Sequence, residues 1–75
     1  KDGNNFTIYP NPSSDYIIIE GILNNELKVY STNGNLIKEY NKKLNKIDIK
    51  DLKPGLYYLE IIENGNILIK KFIKN

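Results

Sequence analysis

Cysteine, histidine, arginine, tryptophan and alanine are missing from these 75 residues, and valine occurs once. Each of the chemically important absences excludes something. Without cysteine there is no disulfide staple and no thiolate metal site. Small exported domains often depend on such staples, but the lack of one does not fix a compartment. Without histidine there is no ordinary general base near neutral pH and no imidazole ligand. Without arginine the chain lacks the residue best suited to phosphate and base-edge contacts. Its eleven lysines are scattered among nine acids for a net charge of +2, not gathered into the one-signed face of a nucleic-acid binder. No apolar run approaches the roughly 20 residues of a membrane-spanning helix. No amino-terminal leader pattern is visible either; if this chain is the tail of a longer secreted protein, the leader belongs to the part before it. No cofactor is expected.

What is present argues for a fold. Forty per cent of residues are apolar, and they are patterned, which separates the chain from disordered sequences. Seventy-five residues make one domain close to the lower limit for a self-sufficient core. Isoleucine, asparagine and lysine together make up almost half of the chain, a bias that suggests an AT-rich genome and says nothing of mechanism.

Alternating apolar and polar residues mark strands at 6–9, 16–20, 26–31, 35–40, 46–50, 56–63 and 66–74. Turn signals separate them. Pro10 and Pro12 bar ladder donation and push Tyr9 and Asn11 into extended geometry. Asn33-Gly34 and Asn64-Gly65 close hairpins, and Pro54-Gly55 predicts a type II turn. Residues 1–5 are polar and read as the end of a linker, leaving 6–75 as the domain. No segment carries a 3.6-residue apolar period. The expectation is an all-β, small immunoglobulin-like antiparallel sandwich of six to seven strands. Its core should hold Ile17, Ile19, Leu27, Val29, Ile37, Ile47, Ile49, Leu52, Tyr57, Leu59 and Ile61.

Register can be argued from faces, because a one-residue slip inverts every side chain. In the first hairpin a two-residue loop would set Val29 opposite Lys38 and bury a charge. A three-residue loop, Thr32-Asn33-Gly34, sets Val29 opposite Ile37 and is preferred. The last strand offers two rows: Ile67, Ile69, Lys71, Ile73 and Leu68, Lys70, Phe72, Lys74. The first is the more apolar and is expected to face the core, with Lys71 opposite Tyr57 and its ammonium reaching the rim or plain water. A two-residue turn would instead set Phe72 opposite Tyr57 and give Lys70 the awkward place.

Catalysis has little to work with, and no enzyme is expected. Asp48 and Asp51 are the nearest acidic pair in the charged stretch, but Lys46, Lys50 and Lys53 are interleaved, as on a solvated edge that discourages strand addition. There is no D-x-D-x-D-G calcium loop and no glycine-rich phosphate loop. Tyr16, Tyr30 and Tyr58 share the solvent-side parity and could floor a sugar site, although tyrosine is also an ordinary strand former.

Four blocks stand in order: Tyr9-Pro10-Asn11-Pro12, Val29-Tyr30-Ser31-Thr32-Asn33-Gly34, Pro54-Gly55-Leu56-Tyr57 and Lys70-Lys71-Phe72-Ile73-Lys74. In that order and spacing the chain resembles the type A C-terminal sorting domain of cargo of the Bacteroidetes type IX secretion system. The resemblance implies a seven-stranded immunoglobulin-like fold and an address function. The cargo would pass through the periplasm to an outer-membrane translocon, helped by shuttle proteins, and reach the cell surface or the medium. A sortase-like surface peptidase commonly removes the domain. Carried over by position, Pro54, Gly55, Tyr57, Lys70, Lys71, Phe72 and Lys74 are the recognition candidates; Tyr9, Pro10, Asn11, Pro12 and Gly34 match motif positions that shape the fold. Such a domain should end its precursor, as Asn75 would. Recognition is expected through backbone at an exposed edge strand together with side chains near the carboxyl end, and the expected solution state is a monomer or weak dimer. The alternative reading is a fibronectin-like or carbohydrate-binding spacer retained in a mature secreted protein.

Overall fold

The computed structural model describes residues 6–21, 26–40, 44–63 and 65–75. The expected linker end at 1–5 and parts of the connections at 22–25 and 41–43 lie outside the described residues. Among the described residues seven strands run in order: β1 (Thr7–Tyr9), β2 (Tyr16–Glu20), β3 (Glu26–Ser31), β4 (Leu36–Tyr40), β5 (Lys46–Asp48), β6 (Gly55–Glu63) and β7 (Asn66–Lys74). They form a three-stranded sheet, β1-β2-β5, facing a four-stranded sheet, β4-β3-β6-β7. Every strand pair is antiparallel. This is a small immunoglobulin-like sandwich. Among the described residues no helix is long and apolar enough to cross a membrane.

The core lies where alternation put it. Ile17 and Ile19 from β2, Leu27 and Val29 from β3, Ile47 from β5 and Tyr57, Leu59 and Ile61 from β6 are buried, with Ile49 and Leu52 from the following turn. Phe6, Ile8 and Phe72 join them, three residues that the inward rows had not included. Ile37 does not: it is 43% exposed.

The cause is a bulge. The first hairpin has the expected three-residue loop, with Gly34 at φ +89 and the Ser31 N–H donating to the Asn35 carbonyl at 2.9 Å. Left alone, that loop would set Val29 opposite Ile37, but it would also set Leu27 opposite Glu39. The register instead shifts between Val29 and Tyr30, so that Val29 faces Lys38 and Leu27 faces Tyr40. The inward row of β4 is therefore Lys38 and Tyr40, in place of Ile37 and Glu39. Tyr40 packs against the core, and its hydroxyl donates to the Asp48 carbonyl on the opposite sheet at 3.3 Å. Lys38 lies on an edge strand and pairs with Asp51 at 2.8 Å. An inward lysine at a sheet edge can lay its stem on the core and bring its charge to the rim.

The second hairpin is also reversed from the preferred row. Glu63 pairs directly with Asn66, a two-residue connection in which Gly65 takes φ +81. Such loops match the twist of the flanking strands. Tyr57 then faces Phe72, and the inward row of β7 is Leu68, Lys70, Phe72 and Lys74. Ile67, Ile69 and Ile73 face solvent. Pro54-Gly55 departs from a type II turn: Gly55 has φ +152 and is already paired with Lys74 as the first residue of β6.

Two measurements check the face assignment. Leu59→Ala, at a site with no exposure, should lower stability by about 2–5 kcal/mol. Ile37→Ala, at the bulge, should stay within about 0.5 kcal/mol of wild type. Chemical denaturation of both variants decides; equal losses would place Ile37 in the core.

Candidate functional site

The four sequence blocks meet at one end of the sandwich. β6 begins there, with Gly55 opposite Lys74 and Tyr57 opposite Phe72. β3 ends there, with Ser31 opposite Tyr57, and carries the Gly34 loop just beyond. The segment after β1 leaves its own sheet and lies along β7, where Ser13 and Lys74 form a parallel bridge.

Several contacts hold this end together. The Ile73 N–H donates to Asn11 Oδ1 at 2.9 Å, and Asn11 Nδ2 reaches the Lys71 carbonyl at 3.5 Å. The Ser13 N–H donates to the Ile73 carbonyl at 2.9 Å, and the Asn75 N–H to the Ser13 carbonyl at 2.8 Å. Ser13 is buried, and its hydroxyl donates to the Tyr16 carbonyl. Tyr9, Pro10 and Pro12, with cis peptide bonds before both prolines, are exposed on this strap. The strap's work is done by Asn11 and Ser13.

The Pro54-Gly55-x-Tyr57 block is tied in from the other side. The Tyr57 ring stacks on Phe72 with centroids 5.6 Å apart. Its hydroxyl donates to the Lys53 carbonyl at 2.6 Å, four residues upstream. This is the tyrosine-corner arrangement of immunoglobulin-like sandwiches, in which a tyrosine near a strand start clamps the chain that leads into it. Lys74 completes the clamp. It is 7% exposed, and its ammonium donates to the Leu52 carbonyl at 2.7 Å and the Lys50 carbonyl at 3.3 Å. Those carbonyls belong to the turn that Tyr57 also grips. A charged donor satisfying carbonyls in this way makes hydrogen bonds stronger than neutral ones.

The recognition candidates therefore separate. Tyr57, Phe72 and Lys74 are buried and hold shape. Pro54, Gly55, Lys70 and Lys71 are exposed. Lys70 occupies the awkward inward place opposite Leu59, but at the sheet edge its ammonium stands 5.4 Å from the centroid of the Phe6 ring, a cation–π contact that tolerates a charge there. Lys71 points outward opposite Tyr58. The burial of Lys74 was legible only once its parity with Phe72 was known.

The tyrosines do not form one platform. Tyr16 lies on the three-stranded sheet with the Lys46 ammonium 4.6 Å above its ring. Tyr30 and Tyr58 face each other across β3 and β6 on the other sheet, where with Ser31, Thr32, Gly34, Glu60 and Ile69 they line an open depression of about 430 Å³. The Tyr30 hydroxyl donates to Glu60 at 3.4 Å.

Asp48 and Asp51 are each engaged by lysine. Asp48 accepts the Lys50 N–H at 2.9 Å. The Lys38 ammonium beside Asp51 holds that carboxyl below its ordinary value, and the same pairing raises Lys38. A depressed carboxylate contributes stability above its unfolded pKa and loses it as pH falls through the lower folded value. A raised lysine contributes below its unfolded pKa and loses it as pH rises through the folded value. The difference in melting temperature between wild type and Asp51→Asn should be small because Asp51 is exposed. It should persist at neutral pH, and vanish below the carboxylate range and above the lysine range. A pH-independent difference would detach it from this pair.

Lys74→Met keeps the aliphatic stem and removes the donors, so it should lower stability by about 1.5–3 kcal/mol. Lys71→Gln should stay within about 0.5 kcal/mol of wild type. Thermal melts of the two variants compare a clamp with a surface charge; matching melts would show that Lys74 is not a clamp.

No curated protein is similar enough in sequence to count as a relative. The family model described as the secretion system C-terminal sorting domain matches residues 7–75, from the first residue of β1 through Asn75. The match takes in all seven strands and all four blocks that converge at the clamped end. The chain is a member of the C-terminal sorting domain family of the type IX secretion system.

Proposed function

We propose that this domain is read, folded, by the outer-membrane translocon and its shuttle proteins, and that a sortase-like peptidase then removes it from the cargo at the surface. Family membership supports the coarser role, a C-terminal sorting signal for type IX export. The observation that carries the finer reading is the convergence of all four blocks on one end of the sandwich, where the buried members fix the shape and the exposed ones face outward. Division of labour follows from burial. Tyr57, Phe72, Lys74 and Asn11 position; Pro54, Gly55, Lys70 and Lys71 are available to a partner, with Leu56 and Ile73 beside them at 40% and 47% exposure. The domain itself supplies an address and no chemistry, a reading that rests on the missing histidine and cysteine, and it works as a monomer or weak dimer.

The test fuses the chain to a periplasmic fluorescent protein in a host with a working type IX system. The wild-type fusion should reach the cell surface. Lys71→Gln should leave the melt unchanged and hold cargo in the periplasm. Export of Lys71→Gln at the wild-type level would remove that charge from the address and leave Lys70, the Pro54-Gly55-x-Tyr57 corner or the overall shape as the recognised feature.

A further inference from the structure

The two sheets present four strand edges: β1 and β5 flank one sheet, β4 and β7 the other. An open edge is a template for another strand, and proteins blunt such edges with short strands, proline, bulges and inward charges. Three of these edges are blunted. β1 is three residues long and runs into Pro10 and Pro12. β5 is three residues long and charged at Lys46 and Asp48. β4 carries the bulge at Ile37 and the inward Lys38. β7 is nine residues long, and the strap covers only its carboxyl half.

The covered half shows which backbone groups face outward. The Ile73 N–H and carbonyl, the Lys71 carbonyl and the Asn75 N–H all bond to residues 11–13, so they point away from β6. Backbone groups alternate sides along a strand, so the N–H and carbonyl of Ile67 and Ile69, and the Lys71 N–H, point the same way. Among the described residues none of these outward groups receives a partner. Beside them the Ile67 and Ile69 side chains are 60% and 59% exposed. Lys70 and Lys71 have no acidic group within ion-pair distance among the described residues.

We propose that the open half of β7, residues 67–71, receives an extended strand from a protein of the export machinery. That strand is apolar where it meets Ile67 and Ile69, and acidic where it meets Lys70 and Lys71. The proposal rests on the sorting-signal reading. Charge selects the occupant: two copies of β7 side by side would gather four unpaired lysines, whereas an acidic strand neutralises them. In strand addition the main chain supplies affinity and alternate side chains supply specificity. The Asn11–Ser13 strap ends the open edge at Lys71 and so sets where the incoming strand must stop.

The same fluorescent fusion tests it. Ile69→Pro removes an outward N–H and spares the ladder to β6, the position at which an edge strand tolerates proline. Ile69→Thr keeps the N–H and the strand geometry. With both variants melting near wild type, the threonine fusion should be exported and the proline fusion retained in the periplasm. Export of a folded Ile69→Pro fusion overturns the proposal. A second measurement does not need the proline variant to fold. Amide hydrogen exchange on the wild-type domain is followed with a short synthetic peptide that joins a valine segment to a glutamate segment, and with its valine–lysine counterpart. Protection at Ile67, Ile69 and Lys71 by the acidic peptide alone is expected. Equal protection by both, or protection at another edge, overturns the assignment. A dimer in ultracentrifugation that Ile69→Pro dissolves would give the edge to a second copy, and overturn the choice of partner. Failure of the wild-type fusion to reach the surface would sink the sorting reading itself, while the exchange result would still judge the edge.

Discussion

The Lys74 ammonium lies inside the protein, donating to the Leu52 and Lys50 carbonyls, and the rest of the clamped end depends on that placement. For Lys74 to reach those carbonyls, the row Leu68, Lys70, Phe72 and Lys74 must face inward. That requires the two-residue connection between Glu63 and Asn66. With the row inward, Phe72 stacks on Tyr57, and Tyr57 is set to clamp Lys53. A slip of one residue would bury the more apolar isoleucine row instead, but it would lose the aromatic stack and the lysine clamp together. The aromatic pair and the charge-assisted bonds outweigh the isoleucines left in solvent.

The same seating explains why blocks far apart in sequence belong together. β7 pairs with β6 along its whole length, but as an edge strand it turns every second residue's backbone groups away from β6. Asn11 and Ser13 supply those groups with partners over the carboxyl half, so the proline-flanked block near the amino end and the lysine-rich block at the carboxyl end are two sides of one contact. Asn11 suits the place because its amide both donates and accepts, and it reaches two backbone groups of β7 at once. The prolines keep the strap extended and prevent it from continuing as an ordinary ladder strand. A motif that reads as turn chemistry in one dimension is an edge cover in three.

Burial also divides a motif that looks uniform on paper. Lys70, Lys71 and Lys74 are chemically identical, yet one stands over an aromatic ring, one faces solvent and one is sealed inside. Their roles differ because their parity and their position along the edge strand β7 differ. Midway along the strand the inward Lys70 reaches the rim over Phe6, whereas Lys74, opposite the start of β6, meets the carbonyls of the turn before it.

Alternation and turn residues were enough to give six to seven strands, their bounds to within a residue or two, and ten of the eleven core positions named from them. These are local properties: a period of two and a few residues with special backbone preferences. Register was beyond their reach. It turned on comparing Ile37 with Glu39 against Lys38 with Tyr40, and the isoleucine row of β7 against the row with Phe72, and each comparison depends on what the opposite sheet offers. Tyr40 gained by reaching Asp48, Lys38 by reaching Asp51 and Lys74 by reaching Leu52. None of those partners is near in the sequence patterns that suggested the strands. The four blocks were visible as motifs, but their meeting at one end was settled by tertiary packing, because only long-range pairing can show whether a lysine ends in water or against a carbonyl.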